Sequence, residues 1–296
     1  TDALKTASSV DLKDNSGSSD SVSIKFSDTA DQDFVKLLTI ASVETINIES
    51  DNANATISTE VDHTIDLAVA AATTINITGD AGLVFGVGET GEDITKVTTL
   101  DASGMSIAKE TYAGVTYTAT FNTIGNATTV KGSNGKDVIS TGVSNDTVDL
   151  GAGADSFKYL GGKDTVTGGS GVNTYDIDDD GTKANHLVIT DLKSKDKIDV
   201  GDVTSTNVTT ALGAATTLSA GSEETLDNYL AAAFAANASS TTAAVHFQFG
   251  GNTYLGINNT DGGSGAGFGT GDALVEITGL VTLKGATVSG EVFTIL

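Results

Sequence analysis

From Gly132 to Asp176 the chain repeats every nine residues without a gap: GSNGKDVIS, TGVSNDTVD, LGAGADSFK, YLGGKDTVT, GGSGVNTYD. The sixth position holds Asp137, Asp146, Asp155, Asp164 and then Asn173, and the eighth holds Ile139, Val148, Phe157, Val166 and Tyr175. The fourth holds Gly135, Ser144, Gly153, Gly162 and Gly171. Blocks in such register are an internal repeat, and a repeat this short predicts a solenoid. The glycines allow tight turns with φ > 0. A strand of about three residues follows each turn, and its eighth-position side chain alone is regularly apolar. One such strand cannot bury that face by itself, so stacked copies must supply the core.

If each block makes half a coil, alternate turns lie on one side. Asp137 is then expected near Asp155, Asp146 near Asp164, and Asp155 near Asn173. Stacked carboxylates repel one another unless a cation lies between them. Carboxylate and backbone carbonyl oxygens at a flexible turn suit Ca²⁺ better than Zn²⁺ or Mg²⁺.

The blocks resemble the calcium-binding repeats of the RTX proteins, GGxGxDxUx. That resemblance implies a right-handed parallel β-roll with calcium between adjacent turns on each side. It implies side-chain oxygen from the sixth position, here Asp137, Asp146, Asp155, Asp164 and Asn173. It implies carbonyl oxygen from Ser133, Gly142, Gly151 and Gly169 at the second position, and from Gly135, Ser144, Gly153, Gly162 and Gly171 at the fourth. Ser144 and Leu160 replace family glycines and Asn173 is a neutral ligand, so two strong sites and one weaker one are expected.

After the repeats comes DIDDDG, in which Asp176, Asp178, Asp180 and Gly181 reproduce the first half of a DxDxDG calcium loop. The twelfth position is Leu187 rather than Glu, so this is not an EF-hand. A calcium-binding loop and a solvated acidic turn both fit. The next segment, HLVITDLKSKDKIDVGDV, resembles the one that follows the repeats in many RTX proteins, where a strand pair caps the roll. Leu187, Ile189, Ile198 and Val200 would form its apolar face, and either Asp191 or Asp199 is a candidate to reach the last calcium.

Upstream of the repeats, strand patterns recur at wider intervals. Val22, Ile24 and Phe26 alternate with polar residues, and VETINIES places Ile46 and Ile48 on one face. Ala55, Ile57, Thr59, Val61, His63, Ile65 and Leu67 hold the odd positions with polar residues between them, TTINITGD repeats the earlier pattern with Ile75 and Ile77, and Val115, Tyr117, Ala119 and Phe121 alternate again. An irregular β-solenoid is expected over 1–125, with residues 1–20 as a polar lead-in. The calcium roll and its capping strands are expected over 126–203, and a C-terminal secretion and cap region over 204–296. In that last region SEETLDNYLAAAFAANA has helical spacing with Ser222 as N-cap. AVHFQFGGNTYLGINN reads as a hairpin with Val245, Phe247 and Phe249 inward and His246 outward, and GDALVEITGLVTL as a further strand pair. The expected class is all-β: a parallel β-solenoid or roll with a small strand-rich C-terminal cap carrying one helix.

The formal net charge of −24, from 39 acidic and 15 basic residues, excludes a general nucleic-acid binder, which needs a basic patch. It suits a chain that titrates calcium and stays soluble by self-repulsion. There is no cysteine for disulfides or thiolate metal sites. No apolar run approaches the ~20 residues of a membrane span, and the first residues lack a signal-peptide pattern. A chain that opens on threonine is expected to be part of a longer one.

No catalytic constellation emerges. Neither HExxH nor GxSxG occurs. GVGETG at 86–91 matches GxGxxG, but a strand-and-turn pattern follows it rather than the helix a dinucleotide site needs. GETGEDIT reads better as one degenerate calcium-type turn carrying Asp93. His63 is expected in the core and His186 at the start of a strand.

The pattern VETINI, TTINI, KVTTLDASG ahead of calcium repeats, in an acidic and cysteine-free chain, resembles RTX-type bacterial surface-layer proteins. FQFGGNTYLGINN with GDALVEITG resembles the tail of type I-secreted surface proteins, and VSGEVFTIL resembles an uncleaved type I signal. These resemblances imply export unfolded through a type I secretion apparatus and folding on extracellular calcium. They further imply self-assembly into a two-dimensional cell-surface lattice, with anchoring to surface polysaccharide through a region outside this chain. The alternatives are a calcium-dependent adhesin and the carrier tail of a secreted hydrolase.

Overall fold

A computed structural model describes residues 8–11, 17–54, 59–85, 93–118, 126–178, 184–201, 212–235, 242–259, 268 and 271–296. The chain divides into two compact units, Thr1–Ser156 with Gly169–Gly171, and Phe157–Gly168 with Val172–Leu296. The division runs through the third and fifth nine-residue blocks.

The strands of the first unit, in chain order, are β1 (Ser8–Asp11), β2 (Ser21–Asp28), β3 (Gln32–Ala41), β4 (Thr45–Asn52), β5 (Asp62–Ala68) and β6 (Thr74–Gly79). They continue with β7 (Gly82–Phe85), β8 (Thr99–Met105), β9 (Ala113–Tyr117), β10 (Thr129–Lys131), β11 (Lys136–Ser140) and β12 (Thr147–Asp149). Odd-numbered strands form one parallel sheet and even-numbered strands another, each strand pairing with the one two places ahead. Successive strands therefore cross from sheet to sheet, which makes two strands one coil of a parallel β-solenoid. The supposed lead-in already contains a coil strand, β1, paired with β3.

The winding follows from side-chain alternation, which sends every second residue to the same face. Val22, Ile46, Ile75, Leu100, Val130 and Val148 are in register across the even sheet. The last five of these are fully buried. On the odd sheet Leu83 pairs with Val115 and Tyr117 with Ile139, again all buried. At about 25 cal/mol per Å², stacking these rows is the main stabilising term, and no single coil can supply it. Ala119, Phe121 and the GVGETG stretch lie outside the described residues.

The second unit holds the strands β13 (Ser156–Tyr159, counted from Phe157), β14 (Thr165–Thr167), β15 (Thr174–Ile177), β16 (Leu187–Ile189) and β17 (Lys197–Asp199). After helix α1 (Leu226–Ala235) come β18 (Thr242–Phe249), β19 (Asn252–Asn259), β20 (Ala273–Ile277), β21 (Thr287–Ser289) and β22 (Val292–Thr294). The orders are β13-β15-β17-β22-β21 and β18-β19-β20-β16-β14. Parallel pairing persists through β16 and β17, then turns antiparallel at β17–β22 and at β20–β19–β18. That change of direction ends the winding and forms the cap.

Four details of the cap correct the sequence reading. β16 and β17 do not pair with each other; each joins a different sheet, because Ile189 and Ile198 continue the two inward rows. The helix is capped by Thr225, whose hydroxyl accepts the Asn228 amide at 3.2 Å, and not by Ser222. The second strand expected within GDALVEITGLVTL does not form; β20 pairs instead with β19 and β16, and the next strands, β21 and β22, form a separate hairpin in the other sheet. His246 is buried rather than outward, since β18 is covered on both faces. One of those covers is α1: Leu230, Ala233 and Phe234 pack on Val245, Phe247, Tyr254 and Leu274.

Candidate metal centre

The sixth-position residues are placed by one recurrent hydrogen bond. The Thr128 amide donates to Asp146 Oδ1 at 2.6 Å, and the Asp137 amide to Asp155 Oδ1 at 2.9 Å. Both partners are 18 residues apart, two blocks, so alternate blocks share a side as the period predicts. Asp137 and Asp155 are thereby brought together. In the second unit the Asn173 amide donates to Asp196 Oδ1 at 2.9 Å in the same way, but across 23 residues. The extra five residues are an insertion near the DIDDDG stretch, after which the coil resumes: Thr174 pairs with Lys197 and Thr165 with Val188.

Asp196 is the residue that sequence reasoning missed. It is fully buried and occupies the sixth position of a further coil. The segment DLKSKDKID carries the signal, with Asp196 sixth and Ile198 eighth, but the insertion displaces it from the nine-residue count. Asp191 accepts the Gly168 amide at 2.6 Å and the Lys193 ammonium at 2.9 Å. Asp199 accepts the Gly201 amide at 3.1 Å.

Asp137, Asp146, Asp155, Asp164 and Asn173 are all fully buried, as polar groups rarely are without compensation. The Asp137 carboxylate accepts the Val115 amide at 2.6 Å, the Ser133 amide at 2.7 Å and the Ser133 hydroxyl at 2.8 Å, with no lysine among its partners. Burial pushes its pKa up to about 6, against those hydrogen bonds. Burial first, and the neighbouring Asp137 charge last, push Asp155 up to about 7. Burial also raises Asp146 and Asp196. Negative charge on these turns is therefore held at a cost that a cation would offset. Asn173 turns its amide nitrogen to the Gly168 carbonyl at 2.8 Å.

The second- and fourth-position residues form the turn backbone. A Cβ on Gly169 would overlap the Gly151 carbonyl oxygen, and one on Gly171 the Gly153 carbonyl oxygen; both glycines have positive φ, 71° and 103°. A Cβ on Gly153 would also overlap the Gly135 carbonyl oxygen and crowd the Asp155 carboxylate, and one on Gly151 the Ser133 carbonyl oxygen. Missing side chains thus let stacked turns approach closely enough for the Ala152 amide to donate to the Ser133 carbonyl at 3.1 Å and the Ser170 amide to the Gly151 carbonyl at 2.9 Å. Gly142 is buried and Ser144 half-buried. The Gly162 carbonyl accepts the Tyr159 hydroxyl at 2.7 Å. Around 132–137 and 150–155 the candidate donors are all oxygen, from carboxylates and carbonyls, the Ser133 hydroxyl being committed to Asp137 and the Gly135 amide. That chemistry fits a hard divalent cation such as Ca²⁺.

Of the acidic turn, Asp176 and Asp178 stand 3.8 and 3.1 Å from the Lys158 ammonium, while Asp180 lies outside the described residues. Asp93 accepts the amide and hydroxyl of Thr95, an Asx turn; the rest of GETGEDIT before it is not described. His186 is buried, with Nε2 2.9 Å from Glu276 Oε2. Among the described residues no helix is long and apolar enough to cross a membrane.

No protein-family model matches the chain, and no curated protein is significantly similar to it.

Proposed function

We propose that this chain is the calcium-dependent solenoid region of an RTX-type surface-layer protein, exported by a type I system and self-assembling into a two-dimensional lattice on the cell. The observation that carries the reading is the ladder of buried aspartates, with the Asp155 carboxylate bonded to the Asp137 amide one coil away. Hydrogen bonds alone leave both carboxylates with raised pKa values. A hard cation held by Asp137, Asp155 and the turn carbonyls would neutralise them and join the coils. Metal binding then contributes folding free energy, and the chain folds where calcium reaches the ~10⁻⁴–10⁻³ M range of extracellular modules. The net charge of −24 keeps the calcium-poor chain soluble and extended, as export through a narrow channel requires.

A calcium titration followed by circular dichroism and negative-stain microscopy tests this. β-Structure and ordered sheets that form together and vanish with chelator are the expected result. Calcium-dependent folding without self-assembly would favour the adhesin. Full folding in chelator would remove the metal-coupled step.

A further inference from the structure

The N-terminal coils carry a polar device of their own, away from the aspartate ladder. The inward row of β4 runs Ile46, Ile48, Ser50, and that of β5 runs His63, Ile65, Leu67, all buried. Ser50 and His63 are the polar members, and they meet across the core: Ser50 Oγ lies 2.8 Å from His63 Nδ1. The same hydroxyl donates to the Gly82 carbonyl on β7 at 3.0 Å. Having spent its proton there, Ser50 can only accept from His63, which fixes the Nδ1–H tautomer. The other ring nitrogen, Nε2, is buried and has no hydrogen-bond partner. The ring lies 5.4 Å from that of Phe26 on β2. The Ser50 hydroxyl thus links β4 to β7 in the opposite sheet, and the His63 imidazole on β5 donates to that same hydroxyl.

We propose that His63 is a pH-sensitive lock: neutral, it joins β5 to β4 through Ser50 at no electrostatic cost, and protonation at Nε2, which leaves the Nδ1–H bond in place, puts an unpaired charge in the core that local opening of these coils relieves. A proton there would place a charge in the core with no acceptor beside it. The carboxylates that act on His63 are Asp28 at the end of β2, Asp31 in the following turn and Asp51 on β4. They favour the charged ring, but burial outweighs them and holds the pKa below the usual 6.5. β7 presents no ionisable side chain; Asp62 and Asp66 are on the ring's own strand. A folded-state pKa below the unfolded one means that the unfolded chain binds more protons in the window between them. The lock's contribution is therefore complete above about pH 6.5 and falls as pH drops, by up to about tenfold in the folding constant per unit.

The test uses the full chain at saturating calcium. The wild-type and His63→Gln folding constants are compared from pH 8 to 5, so that contributions from the aspartates and from buried His246 cancel. The expected result is an advantage of the wild type that shrinks as pH falls below about 6.5. Nitrogen-15 spectra of the ring should show the proton on Nδ1 and a titration below that of an exposed histidine. Amide protection at Ser50, His63 and Gly82 should fall in step with that titration. Parallel stability profiles, an Nε2–H tautomer, or protonation with protection intact would overturn the proposal. If His63→Gln does not fold, the wild-type spectra and exchange decide alone.

Discussion

Gly169 sits with φ 71° against the Gly151 carbonyl, so both backbone conformation and space forbid a side chain there. Gly279 has a similar φ, 85°, but open space around the position of a Cβ. Gly279→Ala should therefore cost about 1–2 kcal/mol for the left-handed conformation alone. Gly169→Ala should cost about 2–4 kcal/mol, since the stacked turns must also move apart. Urea denaturation of the two variants checks the difference. Asp155→Asn should raise the calcium midpoint of folding at least about tenfold, a factor of ten being about 1.4 kcal/mol. Ser133→Ala, which removes the hydroxyl bond to Asp137 and keeps the amide one, should lower stability at saturating calcium by about 1–3 kcal/mol, measured by urea denaturation.

At the scale of elements, the repeat strands and the cap are held differently. β12 and β14 have three residues each and are stable only as members of a stack. α1 and the β18–β19 hairpin form a local core of their own, where Tyr229, Phe247 and Tyr254 stack with centroids 5.5 and 5.3 Å apart. Truncating Phe234→Ala should cost about 3–5 kcal/mol and release α1, seen as lost near-ultraviolet dichroism. The N-cap gives a finer test. Thr225→Ala should cost about 1 kcal/mol, and Ser222→Ala almost nothing, in thermal melts.

For the whole molecule, buried acid sets the pH response. Asp137 and Asp155 have folded pKa values of about 6 and 7, above the 3.8 of an unfolded aspartate. Between those values the folded chain binds more protons. In chelator, stability from this source should grow as pH falls from about 7 toward 4 and be lost as pH rises again. Calcium competes with the same protons, so its affinity should fall as pH is lowered. In chelator the folded fraction should be larger at pH 5 than at pH 8, and calcium should add more stability at pH 8 than at pH 5. Stability in chelator that is independent of pH would contradict the burial of these charges.

The nine-residue period by itself determined the coil, the inward row at the eighth position, and the stacking of Asp137 on Asp155. Those follow from a period shared by geometry and side-chain chemistry, which survives any detail of packing. The helix and the first hairpin of the cap were legible for the same reason. Tertiary structure decided what has no period. It placed Asp196 in the ladder, because hydrogen bonding between coils tolerates an insertion that a residue count does not. It sent β16 and β17 to opposite sheets, because each strand extends the nearest open row rather than pairing with its neighbour in sequence. It buried His246, because His246 continues the buried row of Leu255 and Val275 while α1 covers the opposite, Val245–Phe247 face of the strand. And it joined Ser50 to His63, whose partnership depends on which coils face each other across the core.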